Sequence, residues 1–399
     1  MQCFKVNLPI DYFSRSRELE ASFGKNAVET SGVFMKKDLR ELIELEAVCN
    51  SPDGRIDINC DGRFLSLETT LDIALQSHML KVIQRSQSPL IGFVAMDPAT
   101  GRILSMIDSK KVNRATSVCL SSQFPAASIF KIVSAAAAID RCNLSGDTKL
   151  TYNGRAHTLY NNQLTDRINR YTNRISLKTS FAKSINPVFG KLGIFRLKKD
   201  LIEEYANRFG FNQQIDFELP VELSRISVND DPYHWAELSC GFNRETLISP
   251  IHGAMMAAVI INDGKLVEPT IIEFMTDDEK NPVYVGSTNI IRQVISKRTS
   301  REMRKLMAAT ISTGTCSSTF RGYRRDPILS KLSIGAKTGS INDKSDELRY
   351  DWFVGYCAEK AGTRKLALAV LVVHDKLLRE KAQQFARRAM RYYFREFRG

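Results

Sequence analysis

The sequence predicts an α+β fold: an antiparallel sheet built from both ends of the chain, with a helical subdomain between them. Three observations predict it. Strand-like runs occur at "LIGFVAMD" and "RILSMID", and again near the carboxyl end. From about Pro125 to Ile261 the pattern is mainly helical. Strands and helices do not alternate, which argues against a parallel βαβ arrangement.

Each element follows from its residues. "SLETTLDIALQSHMLKVIQRS" (Ser66 to Ser86) has apolar positions at helical spacing and acids early, so it predicts a helix. "LIGFVAMD" (Leu90 to Asp97) predicts a strand, "PATG" a turn and "RILSMID" the returning strand of a hairpin. "NLSGDTK" and "VNDDPYH" are loops within the helical block. "SIGAKTGSI", "DWFVGYCA" and "LALAVLVV" read as strands, the last two joined by "EKAGTRK". The closing stretch puts Leu378, Ala382, Phe385, Ala389, Tyr393 and Phe397 on one helix face, predicted to pack on the sheet; its outer side is basic. Earlier, "KKDLRELIELEAV" suggests a helix. Gly54-Arg55 then lies midway between Cys49 and Cys60, and a two-residue turn there would set the two thiols opposite each other, open to a disulfide.

The 399 residues are 43% hydrophobic and 25% charged, enough for a sizeable core and unlike a disordered chain. Lys and Arg number 57 against 44 Asp and Glu, a net +13 that favours anionic partners. No zinc-finger spacing or RNA-binding aromatic motif accompanies the charge, so nucleic acid is not an expected partner. Eight cysteines contain no C-x-x-C pair, and the five histidines are scattered with no H-E-x-x-H, so neither a metal nor another cofactor is expected. There is no G-x-G-x-x-G, no Walker A loop and no G-x-S-x-G elbow. No apolar run reaches the length of a signal peptide or a span. The expectation is a soluble chain, or a piece separated from its anchor, with contact at a membrane surface left open by the basic final helix.

Three short motifs carry the chemistry. Ser-x-x-Lys occurs at Ser22/Lys25, Ser128/Lys131 and Ser180/Lys183. Only Ser128 follows a proline and two alanines and leads into the apolar "IVSAAAAI". That places its hydroxyl at a helix amino terminus, where backbone N–H groups favour negative charge. Lys131 lies one turn on, among apolar neighbours, where burial lowers its affinity for a proton and fits it as a general base. Ser-x-Asn recurs, at Ser184/Asn186, Ser227/Asn229 and Ser340/Asn342 among others, and is uninformative alone. Lys-Thr-Gly occurs once, at Lys337 to Gly339, in a predicted strand. In the order Ser128-x-x-Lys131, Ser184-x-Asn186, Lys337-Thr338-Gly339, they form the serine acyl-transfer set of β-lactamases and penicillin-binding proteins.

The chain resembles the transpeptidase domain of high-molecular-weight penicillin-binding proteins, a β-lactamase/transpeptidase-like fold. The likeness covers "LSLETTLDIALQSHM", "GFVAMDPATGRILSMI", "ISLKTSFAKSINPVFGKLG", "LISPIHGAMMAAVIINDGKLVEPTII", "MAATISTGT" and "DWFVGY", from about Phe64 to the end. It implies three parts: residues 1–63 of unassigned role, 64–88 a linker helix, and 89–399 the transpeptidase domain. It implies Ser128 as acylated nucleophile, Lys131 as its base, and Ser184 and Asn186 lining the cleft, with Ser184 relaying a proton to the leaving amine. Lys337 would hold Lys131 neutral by like-charge repulsion and steer a substrate carboxylate, which Thr338 and Ser340 would bind beside Gly339. The backbone N–H groups of Ser128 and Ser340 would make the oxyanion hole.

The implied substrate is the D-alanyl-D-alanine end of peptidoglycan stem peptides, in the bacterial envelope, beside the cell-wall synthesis machinery, with β-lactams acylating the same serine. The sequence departs from the family in four ways. It shows no anchor. Its first 63 residues are too few for a glycosyltransferase domain. It has Ser340 where threonine is usual, and it has many cysteines. Two alternatives stand beside this reading: a hydrolase (β-lactamase or D-Ala-D-Ala carboxypeptidase), and a non-enzymatic β-lactam sensor or division scaffold.

Overall fold

The computed structural model describes residues 34–60, 63–109 and 117–395. After helix α1 (Lys36–Leu42) comes an antiparallel hairpin, β1 (Arg55–Cys60) and β2 (Arg63–Thr69). Helix α2 (Ile73–Gln84) leads to the predicted hairpin, β3 (Leu90–Met96) and β4 (Ile103–Asp108). The helical block holds α3 (Lys131–Arg141), α4 (Leu177–Ala182), α5 (Asn186–Leu192), α6 (Lys198–Arg208), α7 (Pro232–Cys240) and α8 (Pro250–Ile261). Then follow β5 (Ile272–Thr276), β6 (Pro282–Val285), α9 (Lys297–Ser312), β7 (Leu332–Asn342), β8 (Arg349–Glu359), β9 (Lys365–His374) and α10 (Ala382–Tyr393).

The main sheet runs in the order β7-β8-β9-β3-β4, antiparallel throughout, so both ends of the chain build it as the sequence predicts. All residues of β3, and all but the first of β9, are buried, because helices cover both faces. On one face lies α8, buried along its whole length and packed on β3, β8 and β9. Ser249 caps this helix by accepting from the His252 N–H, and Pro250 takes the first turn, where a missing N–H costs nothing. The other face is covered by α2 and α10, which bury Met79, Ile83, Phe385 and Met390 against Phe93, Phe353 and Leu368. Strand β7 is left at an edge, with α9 packed beside it.

Three expectations are corrected. The predicted helix from Ser66 begins only at Ile73, where Asp72 accepts from the Leu75 N–H. Residues up to Thr69 form β2, in which Leu65, Leu67 and Thr69 are buried at alternate positions. Strand pairing on both sides, with β1 and with β5, decides the matter: β1-β2-β5-β6 form a second sheet. The turn at Gly54-Arg55 is also absent. Arg55 opens β1, so Cys60 pairs with Arg63, and Cys49 and Cys60 are both free thiols. Finally, α10 starts at Ala382, and Leu378 before it is 61% exposed. Ala382, Phe385 and Ala389 are buried as expected, while Phe397 lies outside the described residues. Among the described residues no helix is long and apolar enough to cross a membrane, and no cluster of potential metal ligands occurs.

Candidate active site

Ser128 sits on the single helical turn Ala127–Phe130 that runs into α3. The turn is pressed against the end of α7. There Gly241 has φ 67°, and a Cβ on it would stand 1.9 Å from the Ala127 carbonyl oxygen, so only glycine fits. This contact brings the Cys240 carbonyl into the site. It accepts from Lys131 Nζ at 2.5 Å and from Ser128 Oγ at 3.5 Å.

Lys131 is fully buried. Its Nζ donates to Ser128 Oγ at 2.8 Å and to Asn186 Oδ1 at 2.9 Å. Asn186 is held in turn by its own N–H on the Ala156 carbonyl (2.7 Å) and by its Nδ2 on the His157 carbonyl (3.1 Å). These bonds fix which end of the amide faces the lysine. Burial pulls the Lys131 ammonium from 10.5 down to about 8. Its ammonium also stands 5.6 Å from the Phe189 ring centre.

Lys337, on β7, mirrors this arrangement. It is fully buried and 5.6 Å from the Phe181 ring centre. Its Nζ donates to Ser184 Oγ at 3.0 Å and to the Thr338 carbonyl at 2.7 Å. Burial and then the charge of Lys131 hold it well below the usual lysine range. Burial is the leading cause at both lysines, and the like-charge repulsion between them disfavours a second proton on the pair. Ser184 lies between α4 and α5 at φ 57°, a left-handed conformation that costs roughly 1–2 kcal/mol for a residue with a Cβ. Its carbonyl meets His157 Nδ1 at 3.3 Å.

Edge strand β7 closes the site. A Cβ on Gly339 would stand 3.1 Å from the backbone nitrogens of both Ser128 and Ile129, so glycine lets the strand approach the Ser128 turn. The Thr338 hydroxyl lies 2.5 Å from that of Thr315, and Ser340 Oγ donates to Asp351 Oδ1 at 2.9 Å.

Thus Ser128, Lys131, Ser184, Asn186 and Lys337 form one connected set, with Thr338, Gly339 and Ser340 along its rim. The rival motifs do not assemble. Ser180 Oγ is spent on the Leu177 carbonyl and Lys183 is exposed. Asn229 receives the Asp231 N–H in a loop. Ser22 and Lys25 lie outside the described residues. A surface pocket of about 310 Å³, lined in part by Thr70, Arg102, Thr270 and Glu273, holds none of the site residues. Sequence reasoning missed Phe181, Phe189, His157, Cys240, Thr315 and Asp351. The Cys240 contribution is a backbone carbonyl, which no side-chain motif signals.

The fold and this serine–lysine cleft are those of the penicillin-recognising class of domains. Residues 91–391 match the family model "Penicillin binding protein transpeptidase domain", and the chain belongs to that family. Among curated relatives it is 23% identical over 343 residues to penicillin-binding protein 3 of Bacillus subtilis, covering 78% of this chain and 48% of that one. It is 23% identical over 358 residues to the peptidoglycan D,D-transpeptidase PbpA of Mycolicibacterium smegmatis, covering 78% and 68%. The chain spans about half the length of the first of these. Its fold is shared with the D,D-transpeptidase domain of a peptidoglycan glycosyltransferase from Eggerthella lenta (TM-score 0.67, 21% identity, 82% of each chain). It is also shared with the imipenem acyl-enzyme complex of penicillin-binding protein A from M. tuberculosis (TM-score 0.66, 21% identity, 82% of this chain and 79% of that one).

Proposed function

We propose that this chain is a peptidoglycan D,D-transpeptidase acting through an acyl-enzyme on Ser128. The observation that carries the reading is the buried Lys131 amine, pulled down to about 8 and 2.8 Å from the serine hydroxyl. Ser128 Oγ attacks the carbonyl of the penultimate D-alanine while Lys131 takes its proton. The backbone N–H groups of Ser128 and Ser340 receive the developing oxyanion. Ser184 donates its hydroxyl proton to the leaving D-alanine nitrogen, whose C–N bond breaks, and regains a proton from the Lys131 ammonium. The acyl group then moves to an amine of a neighbouring stem peptide.

The terminal carboxylate of the donor sits toward Lys337, Thr338 and Gly339, with Ser340 beyond. Burial and the charge of Lys131 disfavour a proton on Lys337, and an entering carboxylate favours its charged form. An extended donor peptide pairs with the free edge of β7. Domain limits at 89–399, an envelope location and cell-wall synthesis partners belong to the same proposal.

Transfer is favoured over hydrolysis by one observation. Among the described residues, the hydrogen bonds of Ser128, Lys131, Ser184, Asn186 and Lys337 involve no carboxylate side chain, so no carboxylate base is bonded directly to the set. Incubation with a fluorescent penicillin, beside Ser128→Ala, tests the reading. A long-lived adduct in the intact mass of the parent alone supports it. Rapid turnover makes the protein a β-lactamase, and no adduct overturns the acyl-enzyme mechanism.

A further inference from the structure

Ser340 and Asp351 stand directly across from each other on β7 and β8. Asp351 is buried at 8% exposure, and both its oxygens are engaged. Oδ1 accepts from Ser340 Oγ at 2.9 Å, and Oδ2 accepts from the backbone N–H of Ala382, the first residue of α10, at 2.8 Å. A serine hydroxyl has one proton and two lone pairs. With that proton committed to Asp351, Ser340 turns only lone pairs toward a ligand. A ligand carboxylate is itself acceptor-only, and Asp351 adds a like charge behind the hydroxyl.

We propose that Asp351 is a specificity-determining positioning residue. By holding the Ser340 proton it makes that hydroxyl an acceptor, and so lowers the cleft's preference for free-carboxylate acyl donors over neutral, donor-bearing ones such as carboxamides. The inference rests on the proposed transpeptidase site. It assigns to Ser340 the opposite hydrogen-bonding sense from the one the family resemblance implies.

The Ala382 N–H makes a clean test available. In Asp351→Asn the amide oxygen must face that N–H, as Oδ2 does now, so the NH₂ faces Ser340 Oγ. The hydroxyl is then a receiver from Asn and free to donate to a ligand, while the anchorage of α10 is kept.

Two measurements use benzylpenicillin and its carboxamide. One is the acylation rate of Ser128-intact protein by mass spectrometry. The other is the non-covalent affinity of Ser128→Ala protein by calorimetry. Asp351→Asn should raise the carboxylate-to-carboxamide ratio about tenfold in both, the size of one gained hydrogen bond to a charged group. In a Ser340→Ala background the same change should move it less than about twofold. An unchanged ratio in Asp351→Asn overturns the proposal. An equal rise with and without the Ser340 hydroxyl also overturns it, because Asp351 would then act by charge alone. If no form is acylated, the transpeptidase reading fails, and the affinity ratio of the Ser128→Ala protein still decides the role of Asp351.

Discussion

The segments around Ser128 and Ser180 carry the same Ser-x-x-Lys pattern and show opposite environments. At the first, the lysine is buried and donates to the serine, an asparagine and a carbonyl. At the second, the serine is buried with its hydroxyl bonded to the Leu177 carbonyl one turn back, and Lys183 is exposed at the end of α4. Equal spacing therefore yields two chemistries. Desolvation is what makes an amine a base near neutral pH, and spacing only sets which side chains meet on a helix face.

The comparison breaks most sharply at Ser128, the proposed nucleophile. Ser128→Ala should abolish the covalent penicillin adduct. Ser180→Ala should keep it, at some cost in thermal stability; an adduct retained by Ser128→Ala would move the nucleophile elsewhere. Next comes Lys131, the proposed base. Lys131→Met should slow acylation by about 10³-fold, within the usual range for lost general-base catalysis, whereas Lys183→Met should change it less than about twofold.

Protonation gives a graded version of the same contrast. Acylation should rise about tenfold per pH unit below pH 8 and level off above it, because only the neutral amine accepts the serine proton. A flat profile from pH 6 to 9 would contradict a titrating Lys131. The linked stability has a definite sign. The folded value lies below 10.5, so the unfolded chain binds more protons between about pH 8 and 10.5, and the Lys131 contribution to stability rises with pH over that window.

A smaller effect tests the packing that brings Cys240 to the lysine. Gly241→Ala, at φ 67° and against the Ala127 carbonyl, should destabilise by about 2 kcal/mol from the backbone conformation alone, read as a lower melting temperature. The companion change Gly322→Ala, likewise at a positive φ (77°) but with open space around it, should cost less.

Much of the fold was legible because it is local. The hairpin of β3 and β4 follows from two apolar runs and a turn, and α10 follows from apolar residues at helical spacing. The Ser66–Thr69 stretch misled because Leu67 also stands at helical spacing from Leu71 and Leu75, and the β5 partner that decides for a strand lies some two hundred residues on. The Cys49–Cys60 disulfide that the sequence left open does not form for a similar reason: the hairpin closes on Arg63, not on a turn at Gly54.

By itself, the sequence determined the reactive residue types, their i,i+3 spacing at Ser128 and Lys131, and the order of the three motifs. Only the tertiary structure decided which copies meet. Asn186 reaches Lys131 across 55 residues, and Lys337 reaches Ser184 across 153. It also decided that a carbonyl at Cys240 joins them, and that the Ser340 hydroxyl is turned toward Asp351. The reason is physical. Periodicity is a property of neighbouring residues, but burial, and with it the proton affinity of an amine, depends on every segment that packs around it.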